Sequence, residues 1–489
     1  MVEPSVPHLW RAILPICLIC FLYLCSLFLF FCATNSLIYS TVCLLRANES
    51  FCAEIDQNQS LKALEESIQK ESSQWTLYGT LSFAIIACII SPVYGSLSDT
   101  KNRKLPIILT ICNAILTGLI ITIASVYQGT KLCLVLYIVG NIINGFGGGS
   151  LILISSCFGY ATDSCTHKEQ HIQTIAIIEA SLNIGVVIGY VLCTFVFELH
   201  TRIWLILLVH VLFLVLALFI SLVFLQNRSS SQASTSSLRQ KIVRPIYDTH
   251  DLIVGLKQNH LLVSFLILLC SLFFYDLFRM GSGSIIYLYL HYMTFDDTHY
   301  AAYFSLEQLA TCLALIFLAT LRRRWKINDL YIAIIGLCLS LVGPMLFAFA
   351  RNNKAMIFGA IPSSMFGIYF SVCLRTVIAR LVPENDKGKA FSFVALMQNL
   401  DIVIGTIACV EIYQASIDFF PGLIFIFAVT TKIVALILIL IQVLCISRTP
   451  ELLSIVLIDE TEEPILEIQD DDGDDNNNDN DDVGELIRP

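Results

Sequence analysis

Twelve apolar runs, each long enough to cross a lipid bilayer, recur along this chain of 489 residues. A spanning helix needs about 20 mostly apolar residues, because its backbone groups find no water in the hydrocarbon and must bond within the helix. Only 14% of the residues are charged, against roughly 25% in soluble domains. The runs lie at residues 13–36, 75–98, 105–126, 132–158, 172–195, 203–225, 260–286, 299–321, 328–350, 355–378, 390–412 and 419–446. The sequence therefore predicts an all-α membrane protein with twelve transmembrane helices.

A polar, Ser-rich segment divides the runs into two groups of six. Such a segment is typical of a flexible linker, and two equal groups of helices are typical of transport proteins built from two bundles. The last residues are rich in Asp, Asn and Gly and are predicted to be disordered. The predicted regions are a cytosolic tail, a first six-helix bundle, a cytosolic linker, a second six-helix bundle and an acidic cytosolic tail, at residues 1–12, 13–225, 226–259, 260–446 and 447–489.

Lys and Arg are distributed unevenly among the loops. The loops after even-numbered spans hold sixteen of these residues, and the loops after odd-numbered spans hold seven. Because basic residues collect on the cytosolic side of a membrane, the even-numbered loops and both termini are predicted to be cytosolic. The net charge of −10 does not alter this argument, because much of the acid lies in the C-terminal tail.

The first loop on the opposite side is predicted at residues 37–74. It contains two N-glycosylation sequons, at Asn48 and Asn58, as expected of a segment outside the cytosol. It also contains Cys43 and Cys52, whereas the other sixteen cysteines lie in or beside apolar runs. In an oxidising compartment these two residues can form a disulfide; two free thiols are the alternative.

Several ionisable side chains fall inside the apolar runs. A charge at the centre of the bilayer costs about 2.5–3.5 kcal/mol on the most lenient scale, so each such residue needs a partner, a water-filled cavity or a function. The residues are Glu179, Asp276, Arg279, Glu307, Arg375, Asp401 and Lys432. We therefore expect some of them to bind a proton or a substrate inside the membrane.

Glu179 and Arg375 are the strongest candidates. Glu179 lies among small and apolar residues, where a desolvated carboxylate can take up a proton. We interpret it as a protonatable group facing a cavity; a structural pair with a base on a neighbouring helix is the alternative. Arg375 cannot lose its proton and offers a bidentate fork, which suits an anionic substrate or the carboxylate of Glu179. A salt bridge near the cytosolic end is the alternative for Arg375.

The remaining charges permit more than one interpretation. Asp276 and Arg279 lie three residues apart on one helix face and can neutralise each other, and two glycines just beyond them indicate a helix break that lines the cavity. Glu307 is a further candidate for proton or substrate binding. Glu307 and Asp401 can also be residues at the rim of the cavity, and Lys432 can extend its ammonium group to the membrane surface.

The chain lacks the motifs of nucleotide-driven pumps and of common hydrolases. It contains no Walker motif and no Gly-x-Ser-x-Gly, and His210 and His291 stand alone without the spacing of metal ligands. The sequence therefore predicts no enzyme activity, no cofactor, no metal site and no nucleic-acid partner. A proton gradient is the predicted driving force.

Residues 95–104 form a short polar segment between the second and third runs. Asp99 and Arg103 can form a charge pair that one conformation makes and another breaks. The spacing Gly-x-x-x-Asp-x-x-x-Arg resembles the loop between the second and third helices of major facilitator superfamily transporters. The resemblance implies the major facilitator fold of two six-helix bundles. It also implies a conformational gate that comprises Gly95, Asp99, Arg103 and Asp163.

Further segments resemble the solute carrier family of the proton-coupled folate transporter. They lie at residues 158–163, 178–181, 373–383, 388–392, 412–416 and 420–422. The resemblance implies proton-coupled uptake of organic anions, with Glu179 as the coupling carboxylate and Arg375 as the arginine of the tenth span. Where the folate transporter has a histidine in the seventh span and an aspartate in the fourth, this chain has Ser271 and Gly149. Residues 287–298 also lack the Cys that the family joins to the first outer loop.

The last residues of the C-terminal tail resemble a sorting signal, and a chance match in an acidic tail is the alternative. Asp482, Leu486 and Ile487 have the spacing of the acidic Leu-Ile motif that vesicle-sorting adaptors bind. This motif favours an endosomal or lysosomal membrane, and the plasma membrane is the alternative.

These observations together predict a secondary active transporter. We expect symport of a proton with a small-molecule organic anion into the cytosol by alternating access. The anion is expected to be folate-like or another bulky anionic solute. The alternatives are an endosomal or lysosomal exporter, a facilitator without proton coupling, and a receptor or scaffold of the same fold that does not transport.

Overall fold

The computed structural model describes most of the predicted membrane region. The described residues are 6–47, 52, 62–100, 104–162, 168–199, 202–226, 254–257, 261–325, 328–350, 353–382 and 387–448. Their regular secondary structure is α-helical throughout. Twelve of the helical segments are long and apolar enough to cross a membrane, which confirms the predicted fold class. The predicted linker core and acidic tail lie outside the described residues.

The helices fall into two halves, as the sequence predicts. The first half contains α1 (Val6–Arg46), α2 (Lys62–Thr100), α3 (Lys104–Val126), α4 (Lys131–Phe146), α5 (Gly149–Thr162), α6 (Lys168–Glu198) and α7 (Ile203–Phe224). The second half contains α8 (Leu262–Gly281), α9 (Gly283–Tyr292), α10 (Asp297–Trp325), α11 (Asp329–Ser340), α12 (Val342–Ala348), α13 (Lys354–Gly359), α14 (Ile361–Ser364), α15 (Gly367–Leu381), α16 (Lys387–Ser416) and α17 (Leu423–Arg448). The fourth, seventh, ninth and tenth spans are therefore broken helices.

Two of the breaks have clear causes in the sequence. Between α4 and α5, Gly148 and Gly149 adopt φ angles of +71° and +69°, a conformation that glycine reaches without a steric penalty. Between α8 and α9 the helix is interrupted at Ser282, which lies between two glycines. The break predicted just beyond Asp276 and Arg279 is therefore present.

The structure differs from the prediction at the first outer loop. Helix α1 continues to Arg46 and α2 begins at Lys62, so most of the predicted loop at 37–74 is helical. Helix α1 has 41 residues and spans about 60 Å at 1.5 Å per residue. Its outer end is held by an ion pair of 2.6 Å between Arg46 and Glu71 and by a disulfide between Cys43 and Cys52. We call the end of the helices that carries this disulfide the outer end.

Two apolar cores are present in the described residues. The larger core includes Leu29 and Leu37 of the first half together with Tyr289, Tyr303 and Tyr413 of the second half. The other core contains residues of the second half alone, from the ends of its helices opposite the outer end. The two halves therefore share one core at the outer end, whereas the opposite end of the second half has a core of its own.

Helices α8 and α16 cross at a pair of glycines. A Cβ atom on Gly281 would lie 2.1 Å from the carbonyl carbon of Gly405, and a Cβ atom on Gly405 would lie 2.2 Å from the carbonyl oxygen of Leu277. Both obstacles are backbone atoms, which cannot rotate away. Small residues at such a crossing let helix backbones approach closely in a membrane. This contact fixes which face of α16 lies against α8.

We expect Gly405→Ala to destabilise the protein, because the added methyl group forces the two backbones apart. Overpacking of this kind costs about 1–3 kcal/mol. The measurement is thermal unfolding of the purified protein in detergent, followed by size-exclusion chromatography of heated samples. Gly359→Ala is the matched control, because a Cβ atom there meets nothing within 4 Å. Equal melting temperatures for Gly405→Ala and the wild type would contradict the tight crossing.

Candidate functional site

The two halves meet along two helix pairs, α6 with α10 and α2 with α16. In the first pair, Gln308 donates a hydrogen bond of 3.4 Å from Nε2 to Oδ1 of Asn183. Towards the outer end, the rings of Tyr190 and Phe304 stack with their centroids 5.3 Å apart. These contacts close the gap between the halves from Asn183 outwards.

The second helix pair is closed by polar contacts near the outer surface. Lys70 on α2 forms an ion pair of 2.6 Å with Asp418, just beyond α16. Gln414 donates from Nε2 to Ser73 Oγ over 2.8 Å. Both members of the ion pair are substantially exposed, and exposed pairs contribute only about 0–1 kcal/mol. The ion pair therefore aligns the helices more than it holds them together.

A third contact joins α1 to the start of α10. Asp297 accepts a hydrogen bond of 2.6 Å from Ser36 Oγ and one of 2.7 Å from the hydroxyl of Tyr287. Ser36 is buried in the first half, so the carboxylate of Asp297 bridges the halves. We call the contacts of α6 with α10, α2 with α16 and Ser36 with Asp297 the outer seam. The described structure is thus closed at its outer end.

Glu179 lies where the outer seam ends. Its backbone carbonyl accepts a hydrogen bond of 2.8 Å from Nδ2 of Asn183, one turn further along α6. Residues four apart share a helix face, so Glu179 lies on the same face as the seam residue Asn183. It is one turn nearer to the end of the helix that lies opposite the outer end. Its side chain is exposed and lies within electrostatic reach of Arg375 in the other half. Glu179 therefore faces the gap between the two bundles.

Arg375 faces the same gap from α15. It lies within electrostatic reach of Glu179, Asp276 and Arg279. Its Nε atom is buried and has no hydrogen-bond partner in the described structure. A half-buried guanidinium with an unsatisfied N–H is suited to bind an anion, because charge-assisted hydrogen bonds to planar oxyanions are strong and directional. The structure thus brings together the two residues that the sequence singled out.

Asp276 and Arg279 form the predicted local pair. Nε and Nη2 of Arg279 both lie 2.9 Å from Oδ1 of Asp276. Gln398 on α16 donates to the other oxygen over 3.1 Å. Asp276 is fully buried, whereas the side chain of Arg279 is 48% exposed. Both oxygen atoms of the Asp276 carboxylate therefore accept hydrogen bonds, and Arg279 remains accessible from the gap.

Glu307, on α10, faces a different base from that of Glu179. It is within electrostatic reach of Lys432 and within hydrogen-bonding reach of Ser364. Lys432 donates from Nζ to the backbone carbonyl of Ser340 over 2.8 Å. The interpretation that Lys432 extends to the membrane surface is therefore wrong, because its ammonium group is bonded within the bundle. Glu307 and Lys432 form a second acid–base pair rather than part of the Glu179 site.

Asp401 is not a residue at the rim of the cavity. Its side chain is only 1% exposed, because the crossing of α16 with α8 turns it into the bundle. Ser271, which stands where the related family has a histidine, donates from Oγ to the carbonyl of Ala435 over 2.9 Å. Ser271 thus joins α8 to α17.

Other predicted residues lie at or beyond the edges of the described structure. Gly95 and Asp99 belong to the last turns of α2, which ends at Thr100. The following residues lie outside the described part of the chain: Asn48, Asn58, Arg103, Asp163, Asp482, Leu486 and Ile487. The predicted gate, glycosylation sites and sorting signal thus remain predictions.

Twelve spanning helices, two halves joined at one end and opposite charges facing the gap between them define a transporter of the alternating-access class. Residues 60–406 match the family profile of the Major Facilitator Superfamily, and the chain belongs to this superfamily. It is a multi-pass membrane transporter and not an enzyme.

Curated relatives confirm the resemblance to the solute carrier family noted in the sequence. The lysosomal proton-coupled steroid conjugate and bile acid symporter of Rattus norvegicus is 26% identical over 393 residues, which cover 77% of this chain and 82% of the relative. The proton-coupled folate transporter of Bos taurus is 23% identical over 382 residues, which cover 76% of this chain and 79% of that protein.

Solved structures agree on the fold. The crystal structure of the human organic anion transporter MFSD10 superposes with a TM-score of 0.63 at 15% identity, covering 90% of this chain and 100% of that chain. A peptide transporter in complex with sulfate superposes with a TM-score of 0.61 at 13% identity, covering 90% of this chain and 95% of that chain. At these identities the likeness shows the fold alone.

We expect Asp297→Asn to loosen the outer seam. A hydrogen bond to a charged group contributes about 1.5–3 kcal/mol and a neutral one about 0.5–1.5 kcal/mol, so loss of the charge should raise the open population by roughly tenfold. The measurement is the maleimide labelling rate of Thr194→Cys, a seam position on α6 that contacts Ser305, in purified protein in nanodiscs.

Asp296→Asn is the matched control for this experiment. Asp296 precedes Asp297 in the chain, but it bonds to His299 on its own helix, and Asn caps a helix as well as Asp does. Labelling that is equally slow in Asp297→Asn and in the control would show that Asp297 does not hold the seam closed.

Proposed function

We propose that this protein is a secondary active transporter that carries a bulky organic anion together with a proton into the cytosol. The observation that carries the proposal is the position of Glu179 and Arg375, which face each other across the gap between the two bundles. The driving force is the proton gradient, and no cofactor takes part.

The pair gives a physical reason for coupling. When the site is empty, the carboxylate of Glu179 balances the guanidinium of Arg375, which cannot lose its proton. Once Glu179 is protonated, Arg375 has lost its counter-charge and binds an anion in its place. An anion without the proton would compete with the carboxylate, and a proton without the anion would leave an uncompensated buried cation. Proton and anion therefore bind favourably only together.

The outer seam gives a reason for movement. Glu179 lies one turn before the seam residue Asn183 on α6, and Arg375 belongs to the opposite bundle. A ligand bound between them touches both halves beside the seam, so its binding energy can act on the rocking of the bundles. Binding to one bundle alone would leave the equilibrium between conformations unchanged.

The relatives support the same class of cargo. Their names describe proton-coupled transport of steroid conjugates, bile acids and folate. We therefore propose a bulky organic anion as substrate and an endosomal, lysosomal or plasma membrane as location, with sorting adaptors as partners of the C-terminal tail. Uptake would run from an acidic space into the cytosol.

We expect Glu179→Gln to abolish accumulation of the substrate without abolishing its exchange. The amide is a permanent stand-in for the protonated acid, so Arg375 can still bind the anion, but position 179 no longer carries a proton. The measurement is the uptake of estrone sulfate, taurocholate and folate into proteoliposomes with and without an imposed proton gradient. Accumulation should fall by at least about tenfold, while counterflow exchange persists.

Glu198→Gln is the matched control, because Glu198 is an exposed carboxylate at the end of the same helix. Accumulation by Glu179→Gln at the level of this control would remove Glu179 from proton coupling. Equal uptake by the wild type with and without the gradient would instead favour the second candidate, a facilitator in which Glu179 and Arg375 only pair.

We expect Arg375→Lys to weaken binding of the anion more than it slows the cycle. Lysine keeps the positive charge but loses the planar fork, and the loss of one charge-assisted hydrogen bond, about 1.4 kcal/mol, corresponds to a tenfold higher KM. The measurement is the concentration dependence of estrone sulfate uptake. Arg202→Lys, at the exposed start of α7, should leave KM unchanged. An unchanged KM in Arg375→Lys would show that the guanidinium does not contact the substrate.

A further inference from the structure

Asp401 lies on the face of α16 that packs against α8. Gln398, Asp401 and Gly405 follow one another at spacings of three and four residues, so they share one helix face. At one end of this face Gly405 touches the backbone of α8, and at the other Gln398 donates to Asp276. Asp401 is thus held between two contacts with α8.

One oxygen of the Asp401 carboxyl group lacks the hydrogen bonds that an ionised carboxylate requires. The side chain is 1% exposed, and Oδ1 has no hydrogen-bond partner in the described structure. Asp276, by contrast, accepts from two nitrogen atoms of Arg279 and from Gln398. A buried carboxylate with an oxygen that accepts no hydrogen bond is destabilised, whereas the neutral acid is far less penalised.

The charges that face Asp401 also favour its neutral, protonated form. From α8, Asp276 and Arg279 lie within electrostatic reach of Asp401. From α15, Arg375 faces Asp276 and Arg279 and is balanced across the gap by Glu179. On α17, Lys432 faces Glu307 instead. The connected group therefore contains three acids and two bases, so one acid is in excess.

We propose that Asp401 is a second proton-binding residue, which must be protonated before the site between the bundles binds its anion. This inference rests on the proposed function and adds a residue to it. With Asp401 neutral and Glu179 ionised, the empty site has no net charge. When Glu179 is protonated as well, one positive charge remains for a monovalent anion. An ionised Asp401 cancels that charge and repels the anion.

The proton can reach Asp401 from the gap. The side chain of Arg279 is 48% exposed and lies beside both acids, so water can approach the cluster from that side. A proton is transferred from water in the gap to the carboxylate, which becomes a carboxylic acid. No other group needs to change its bonding. Asp276 remains ionised because it is paired with Arg279. Of the two acids Asp276 and Asp401, Asp401 is therefore the one that takes up the proton.

Infrared difference spectroscopy of the purified full-length protein tests the proton directly. The wild type should show the C=O band of a protonated carboxyl group at acidic pH and lose it at alkaline pH. The contribution of Asp401 to this band should be absent in Asp401→Asn. Glu411→Gln is the matched control, because Glu411 is an exposed carboxylate on the same helix. If Asp401→Asn does not fold, Asp401→Glu retains a carboxyl group and should show a displaced titration. A spectrum of Asp401→Asn or Asp401→Glu that equals the wild type at every pH overturns the proposal.

Binding of estrone sulfate tests the link to the anion. Asn stands in for the protonated acid, so Asp401→Asn should bind estrone sulfate about tenfold more tightly than the wild type at neutral pH and equally well at acidic pH. Identical pH profiles for this variant and the wild type overturn the proposed link. Loss of pH dependence in the wild type itself would instead overturn the proposed function, and the infrared titration would still decide the role of Asp401.

Discussion

The structure depends on a positive charge that cannot be removed and is placed where it is not stable alone. Arg375 keeps its proton at any physiological pH, and its Nε atom is buried without a partner in the described structure. A buried charge must be balanced, and Glu179 in the other bundle is available to balance it. Since Glu179 can be neutralised by a proton and Arg375 cannot, the balance is adjustable from one side only. A bound anion is the natural replacement for the missing carboxylate.

The outer seam combines two kinds of interaction with different roles. Apolar and aromatic contacts supply most of its stability, because burial of one large apolar side chain contributes about 1.5–3 kcal/mol and exposed ion pairs such as Lys70 with Asp418 contribute far less. The polar contacts are directional, so Ser36 with Asp297 and Asn183 with Gln308 define how the helices align. A seam of this composition is stable but reversible.

The fold and the central pair could be predicted from the sequence, because the bilayer acts on each residue separately. Twelve apolar runs and the cost of isolated charges are local properties, and they indicated the helices and Glu179 with Arg375. The seam contacts are not local: Ser36 and Asp297 are 261 positions apart and Lys70 and Asp418 are 348 apart, and nothing in their types distinguishes them from loop residues.

Helix rotation limits the prediction in the same way. Asp401 and Glu411 are both acids on α16, yet one is buried and the other exposed. The crossing of Gly281 with Gly405 decides which side of α16 faces inwards, and it depends on two helices that the sequence alone does not place together. Helix length was also underestimated at α1, because its mostly apolar residues beyond Ser36 were assigned to the first outer loop.

The shared core of the two halves has a thermodynamic consequence. To open the outer end, the molecule must bring buried aromatic surface, such as that of Tyr190 and Phe304, into contact with water. Exposure of apolar surface raises the heat capacity, so opening of the outer seam itself carries a positive heat-capacity change. Since apolar association weakens on cooling, the apolar part of this seam loses strength in the cold. A transport rate limited by the opening of this seam would then follow a curved Arrhenius plot.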